Sequence, residues 1–552
     1  MARMGVKGRC VVSGVIRLEK LSTIYLPYSY EPLKYEYNRD VAEQSSYHAK
    51  SKALFTVGND LIHSIDISNP YSPTVTHYTR VAGGELTDVE VCDDKLAVTW
   101  DNKVDPIDGK VFVYDIAKTG DLALSVEVTV GAVPDMLQWT PDCKRLVVAV
   151  EGEMRVINGQ FVDPEGSIAV VRIDGGQYEL KRANFSKFND LADYYVSKGV
   201  RWVYRKNGST FAQDLEPEYI ALNKDGKTAY ISLQENNAVA VMDVEKAEIL
   251  ELYGLGSKSW SNLSISLDGS NHLSDLPLHS LYQPDTIKYF EFEGKEYILT
   301  ANEGEEKEYE KLNFTDGVSI AELIEKNAIN DELRERLNDD ERIGRLRVSS
   351  IDGLDENGLH ETLHAYGARS YSIRRASDLS LIYDSGDDIE KNIHKHIPYV
   401  LGSNGKDIDK TPEGAAGSRS AKKGPETENV DVGRAFKKTL LFVANERPGV
   451  ILIYSFDRQL ASNFESIHYA GGQGRSWLNL YENRATADVD PEDIKFIPEE
   501  QSPHSKPMLI VSGTTSGTVS CYQVVDDLPE EKREFAPTPS VYFPHLEDSS
   551  TD

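Results

Sequence analysis

Cysteine is scarce in this sequence: four residues in 552, at Cys10, Cys92, Cys143 and Cys521, with no CxxC pair. That is too few for a disulfide-built scaffold, and the spacing excludes a zinc ribbon. A single bridge between distant turns and a set of free buried thiols both fit. Long apolar runs are also missing; no stretch reaches the roughly 18 residues of a membrane-spanning helix. Positive charge is in deficit, with 60 Lys and Arg against 90 Asp and Glu and a formal charge of −30. Such a field repels nucleic acid and anionic lipid and attracts cations and basic partners, so nucleic-acid binding is not expected. Nothing matches a P-loop, a GxSxG elbow or a Rossmann glycine fingerprint. The opening "MARMGVKGRCVVSGVIRLEK" holds only a broken apolar run, so it reads as no clear secretory signal. The closing "VYFPHLEDSSTD" is polar and carries no lipid-anchor tail.

What the chain does have is a repeat. "VPDMLQWTPDCKRLVVAVEGE" begins at Val133, "EPEYIALNKDGKTAYISLQENN" at Glu216 and "QPDTIKYFEFEGKEYILTANEGE" at Gln283. "GPETENVDVGRAFKKTLLFVANERPG" begins at Gly424 and "DPEDIKFIPEEQSPHSKPMLIVSGTTSG" at Asp490. A copy without the proline, "ELTDVEVCDDKLAVTWDN", starts at Glu85, and "AKSKALFTVGNDLIHSIDIS" keeps only the second half. Each reads as strand, turn, strand, with alternating apolar residues around an Asp-Gly or similar turn. Several continue into a third strand ending in Asp. Such a unit cannot bury both faces alone, so copies packing around an axis predict an all-β propeller of about seven blades, WD/YVTN-like. Within it, the repeated proline sets the entry turn of a blade, and the acid after it is expected to tie neighbouring backbone amides.

Two stretches depart from the repeat. Residues 316–342 have helical spacing and capping acids, which predicts a surface helical insertion. Residues 402–424, rich in Gly, Ser and Lys, predict a mobile loop. The expected layout is a lead-in over 1–44, a propeller over 45–525 and a charged, proline-bearing tail over 526–552.

The recurring "VAVEGE", "SLQENN", "TANEGEE" and "VANERPG" place Glu151, Glu153, Glu235, Asn236, Asn302, Glu303, Asn445 and Glu446 at matching blade positions. Gathered at one mouth of a channel, these oxygens would suit a hard cation such as Ca²⁺, which takes six to eight oxygen ligands. A hydrogen-bonded rim without metal fits the same pattern. Asp352, Asp355 and Asn357 in "SSIDGLDENG" loosely resemble a calcium loop but lack EF-hand spacing, and a polar turn is the alternative. "HETLH", His360 to His364, fits the zinc-protease HExxH motif, and Gly367 extends it, yet Ser370 stands where a third ligand belongs. The following "GARSYSI" alternates like a strand, and in a strand the two histidines would lie roughly 13 Å apart. Zinc proteolysis is therefore not expected. His394 and His396 in "HKHIP" read as exposed loop histidines. Arg369 beside Asp384, Asp387 and Asp388 could serve phosphoester chemistry, an arginine for the anion and acids for a metal, or form an ordinary ion pair. Asn-x-Ser/Thr sequons stand at Asn184, Asn207, Asn262 and Asn313.

Taken in order, "EPEYIALNKDGKTAYISLQENNAVAVMD", "PDTIKYFEFEGKEYILTANEGE", "GRLRVSS", "AYGARSYSI", "YDSGDDIE", "KGPETENVDVG" and "LIVSGTTSGTVSCYQV" resemble the mesenchyme-specific cell-surface glycoproteins and their bacterial relatives, the choice-of-anchor I proteins. The resemblance runs from about Ser45 to Val525. It implies a propeller on an extracellular or cell-surface glycoprotein, linked in animals with skeleton and shell formation and in bacteria labelled alkaline-phosphatase-like. Two departures stand out. No clear signal peptide is present, and "SRSAKKGPE" carries Ala421, Lys422 and Lys423 where the family usually has an acid after Arg-Ser, which weakens a metal role for that loop. The leading expectation is a non-enzymatic, Ca²⁺-binding glycoprotein whose partners are divalent cations and extracellular matrix or mineral. A secreted metal-dependent phosphoesterase and a metal-free interaction propeller are the alternatives.

Overall fold

Each repeat folds as a four-stranded antiparallel sheet, and the reason is visible in the blade beginning at Ile220. Asn223 turns the chain by accepting hydrogen bonds from the Lys227 and Thr228 amides through Oδ1, at 3.0 and 2.9 Å. The next strand, Thr228–Leu233, is buried almost throughout, while the outer strand Glu248–Gly254 alternates between buried and exposed. Inner strands packed on both faces read as continuous apolar runs; edge strands keep a solvated face. The computed structural model describes residues 15–528 apart from 104–106, 158, 268–272, 275–277, 338–342 and 487.

Among the described residues seven such sheets occur. Blade 1 runs from Gln44–His48 to Thr74–Arg80, blade 2 from Gly84–Cys92 to Leu122–Gly131, and blade 3 from Pro134–Trp139 to Gln177–Asn184. Blade 4 runs from Ile220–Leu222 to Glu248–Gly254, blade 5 from Ile287–Phe292 to Leu381–Asp384, and blade 6 from Thr427–Ala435 to Ser462–Tyr469. Blade 7 takes Pro491–Ile497, Met508–Gly513 and Thr518–Asp526 from the end of the chain, and its outer strand, Ile16–Tyr25, from the beginning. The lead-in expected over 1–44 therefore includes a propeller strand. Its copy is unrecognisable in the repeat because the unit it completes lies at the other end of the sequence. Apolar side chains fill every gap between neighbouring blades: Leu54 and Ile65 of blade 1, for instance, pack on Ile510 and Val519 of blade 7.

The excursions have their own order. Ser257–Ser259, Leu278–Leu281, Leu363–Ala365, Arg347–Ser349 and Gly317–Ser319 form a five-stranded sheet, and the helices Ile320–Glu325 and Asp331–Leu337 pack Ile320, Leu323 and Leu333 onto it. Within 316–342 the expected helices are present and follow one short strand, Gly317–Ser319, which joins this sheet. Its last residues, 338–342, and the tail beyond 528 lie outside the described residues. Residues 402–424, expected to be mobile, fold into successive turns held by bonds such as Gly417 N–H to the Leu401 carbonyl (2.8 Å), with Ser403 and Ser420 buried.

Cys92 and Cys143 form a disulfide joining the innermost strand of blade 2 to a turn of blade 3; Cys521 is free and buried. The bridge closes a loop with a sequence separation of 51. Cys92→Ser or Cys143→Ser is expected to lower stability by about 2–4 kcal/mol, read as the shift in urea midpoint. An unchanged midpoint would show that the bridge does not constrain the unfolded chain.

Candidate metal centre

The innermost strands bring one residue per blade to each level of the central channel. At the wide end stand Glu43, Thr87, Asp135, Glu218, Asp285, Glu428 and Glu492, all but Thr87 where an innermost strand begins and Thr87 at the irregularity within Gly84–Cys92; the amides of Glu43, Glu218 and Asp285, for example, all bond to the second strand. Three residues further along each strand, Ser46, Glu90, Gln138, Ala221, Lys288, Asp431 and Lys495 surround the narrow end. Six of the seven residues at the upper level are acids. The lower level mixes two lysines with two acids, so charge is segregated along the axis.

The wide mouth is a cavity of about 580 Å³ lined by eleven carboxylates and four cations. Glu151, Glu235, Glu303 and Glu446, from the ends of second strands, meet the upper ring there, as their spacing predicts. Ligand oxygens of Glu303, Glu428 and Glu446 all lie within 4.8 Å of one another. The cations crowd one side: Lys423 contacts Glu303 and Glu305, and Arg447 reaches Glu446 at 2.6 Å and also contacts Asp490. Arg419 pairs with Glu426 at 3.0 Å, and Lys406 with Asp490 at 3.1 Å. On the other side Glu218 and Glu235 each keep a buried Oε2 with no hydrogen-bond partner.

Burial makes these carboxylates hard to ionise. It pushes Asp135 up to about 7 and Glu303 and Glu492 to about 8, with neighbouring acids adding to the effect. Glu151, Glu218, Glu428 and Glu446 rise well above the carboxylate range for the same reasons. The carboxyl groups of Glu218 and Glu235, and those of Asp285 and Glu428, are near enough to act on one another. Two carboxyl groups can share a hydrogen bond only if one carries a proton. Glu426 is the exception: burial raises it, but Arg447, Lys423 and Arg419 outweigh burial and hold it at about 2.

The acid after the repeated proline is therefore no mere tie for backbone amides. Asp135, Glu218, Asp285, Glu426 and Glu492 face the cavity, and Glu428 joins them two residues later in blade 6. The recurrence of the pair was the available signal. Several expected ligands go elsewhere. Asn302 is buried against Ser370, Ser372 and Thr300. Asn445 bonds Thr427 and the Val443 carbonyl. Asn236 bonds backbone at Arg201, Asp214 and Glu216, and Glu153 pairs with Arg155. These amides close strand ends and offer no free oxygen to an ion.

A model of the Choice-of-anchor I domain matches residues 43–459. The chain belongs to the choice-of-anchor I family. The match begins at the first strand of blade 1 and stops inside blade 6. Among curated relatives, Gigasin-3a of Magallana gigas is 35% identical over 190 residues, 34% of this chain and 66% of that protein. The mesenchyme-specific cell surface glycoprotein of Strongylocentrotus purpuratus is 28% identical over 388 residues, 63% of this chain and 46% of that protein. The chain thus spans two thirds or less of each of these relatives. The β-propeller domain of Myceliophteria thermophila Cps50 (Swd1) aligns over 92% of this chain and 100% of its own, at 9% identity and a TM-score of 0.45.

The remaining candidates of this choice-of-anchor I chain are structural. Arg369 is 1% exposed; its terminal nitrogens bond Glu390 and the Ser266 carbonyl at 3.0 Å, and the Ser420 and Lys422 carbonyls at 2.8 and 3.0 Å. Asp384 accepts from Ser370 and Ser372, Asp387 from the Ser264 amide, and Asp388 from Tyr454 and Asn392. Arg369 is not free to hold a phosphate, because Ser266, Glu390 and the 402–424 segment enclose it. Arg369→Met is expected to cost about 3 kcal/mol in urea unfolding by stranding Glu390, and Glu390→Met in addition should restore most of it. A stable single variant would reopen an anion-binding role. Asp355 closes its own turn onto the Asn357 and Leu359 amides, while Asp352 pairs with Arg201 at 2.9 Å, so the loose calcium loop is not assembled. His360 and His364 lie on extended chain, and Gly367 serves close packing: a Cβ there would sit 1.8 Å from the Glu303 carbonyl. His394 and His396, expected in a loop, end the helix Asp388–His396.

Proposed function

We propose that this chain is an extracellular or cell-surface propeller glycoprotein whose channel mouth binds Ca²⁺ and which acts in matrix or mineral assembly. The observation that carries the cation reading is the convergence of Glu303, Glu428 and Glu446 within one ion's reach, in a cavity whose acids outnumber its cations. Oxygen ligands in such number suit a hard divalent ion, which would replace the protons those acids hold. The setting is supported by the disulfide, which belongs to oxidising compartments, and by the printed name of the Strongylocentrotus purpuratus relative. Asn184, Asn262 and Asn313, three of the four sequon positions, are exposed. Among the described residues no helix is long and apolar enough to cross a membrane.

Lys423 is the internal rival of the ion, since it holds Glu303. Ca²⁺ titrated into chelator-stripped protein should release heat and raise the melting temperature in step with occupancy. Glu428→Gln should weaken binding about tenfold, the loss of one charged ligand, and Lys423→Ser should tighten it. A flat titration into the millimolar range would overturn the proposal and leave a metal-free interaction propeller.

A further inference from the structure

We propose that His279 and His364 form a two-imidazole site for a borderline divalent transition-metal ion, Zn²⁺ or Cu²⁺, separate from the acid-lined channel. Neither residue belongs to a blade. Leu278–Leu281 and Leu363–Ala365 run parallel in the insertion sheet, with His279 directly opposite His364. Alternation sends Leu278, Leu363 and Ala365 into the core beneath the insertion helices, which leaves both imidazoles on the other, half-exposed face. Their ring centroids are 5.3 Å apart and the planes are inclined by 40°. Two imidazole nitrogens bound at ~2.1 Å to one tetrahedral ion would set the centroids about 5 Å apart, so the pair needs little movement to chelate.

The surroundings favour ligation over protonation. Burial lowers His279, with Arg336 adding to the effect, and lowers His364 to about 4, where Arg201 and His360 act with burial against the attraction of Asp352. In both cases burial favours the neutral ring, the form that binds metal. Nδ1 of His364 is buried without a hydrogen-bond partner, and Nδ1 of His279 has only a 3.5 Å contact to Ser257 Oγ. The Asp352 carboxylate supplies negative charge near His364. His360, the other histidine of the HETLH motif, is turned to the Asp352 carbonyl at 3.1 Å. The motif thus contributes one ligand, and its partner comes from a distant strand.

The test uses the full, chelator-stripped chain in excess Ca²⁺, with Zn²⁺ followed by calorimetry and Cu²⁺ by electron paramagnetic resonance. One ion per chain is expected, with nitrogen hyperfine structure from two imidazoles. His279→Gln and His364→Gln should each weaken binding at least about tenfold, while the exposed surface variant His77→Gln leaves it unchanged; melting curves of the variants confirm that they fold. All-oxygen coordination of Cu²⁺, or a folded double variant that binds as tightly as the parent, would overturn the site.

Discussion

A chain lacking residues 1–25 is expected to lose cooperative folding. Ile16–Tyr25 is the outer strand of blade 7, paired along its length with Thr518–Asp526. It is also the element that ties the two ends of the chain together. Ile16 and Leu18 are buried with Phe442, Ile453, Ile494 and Tyr522, in the apolar layer between blades 6 and 7. Losing two such side chains removes about 2–3 kcal/mol each, and the unpaired edge of Thr518–Asp526 loses its ladder as well. The combined cost, about 5 kcal/mol or more, is comparable with the whole stability of a typical domain. Thermal unfolding of the truncated protein should broaden and fall sharply, and a synthetic peptide of residues 14–27 added in trans should restore the transition by completing the sheet. A truncated chain that melts cooperatively at the parent temperature would show that blade 7 closes without its outer strand.

In chelator, stability should fall as pH rises from about 5 to about 8.5. The folded protein keeps protons on Asp135, Glu303 and Glu492 up to about 7, 8 and 8, whereas the unfolded chain releases them near 4. Between those values the folded state binds more protons, so each step up in pH favours unfolding. Glu426 has the opposite sign: its folded value of about 2 contributes stability above the unfolded value, which is lost only as pH drops through the acid range. The raised groups are more numerous, and because they are coupled their sum is on the order of 5 kcal/mol across the window. Urea midpoints at pH 5, 7 and 8.5 measure the slope. Saturating Ca²⁺ should flatten it by neutralising the acids without protons, and Glu218→Gln with Glu428→Gln should halve it. A slope unaffected by either would place the pH dependence outside the channel.

The seven blades were legible in the repeated strand–turn–strand pattern, because alternation and turn residues are local properties that survive in any one copy. So was the meeting of Glu151, Glu235, Glu303 and Glu446, since equal positions in radially packed repeats converge on one axis. The same logic applied to the proline-acid pairs would have found Asp135, Glu218, Asp285 and Glu492. Asn302 and Asn445 sit at those equivalent positions too, but their hydrogen bonds to Ser370, Ser372 and Thr427 depend on which strand lies beside them, and spacing carries no such information. Only the tertiary structure decided that Ile16–Tyr25 closes blade 7, that Lys423 enters the acid cluster, that Arg369 is enclosed with Glu390, and that His279 faces His364. Each joins segments far apart in the chain. Local sequence sets the period of a strand and the shape of a turn, but which distant side chain satisfies a buried charge is settled by packing of the whole ring.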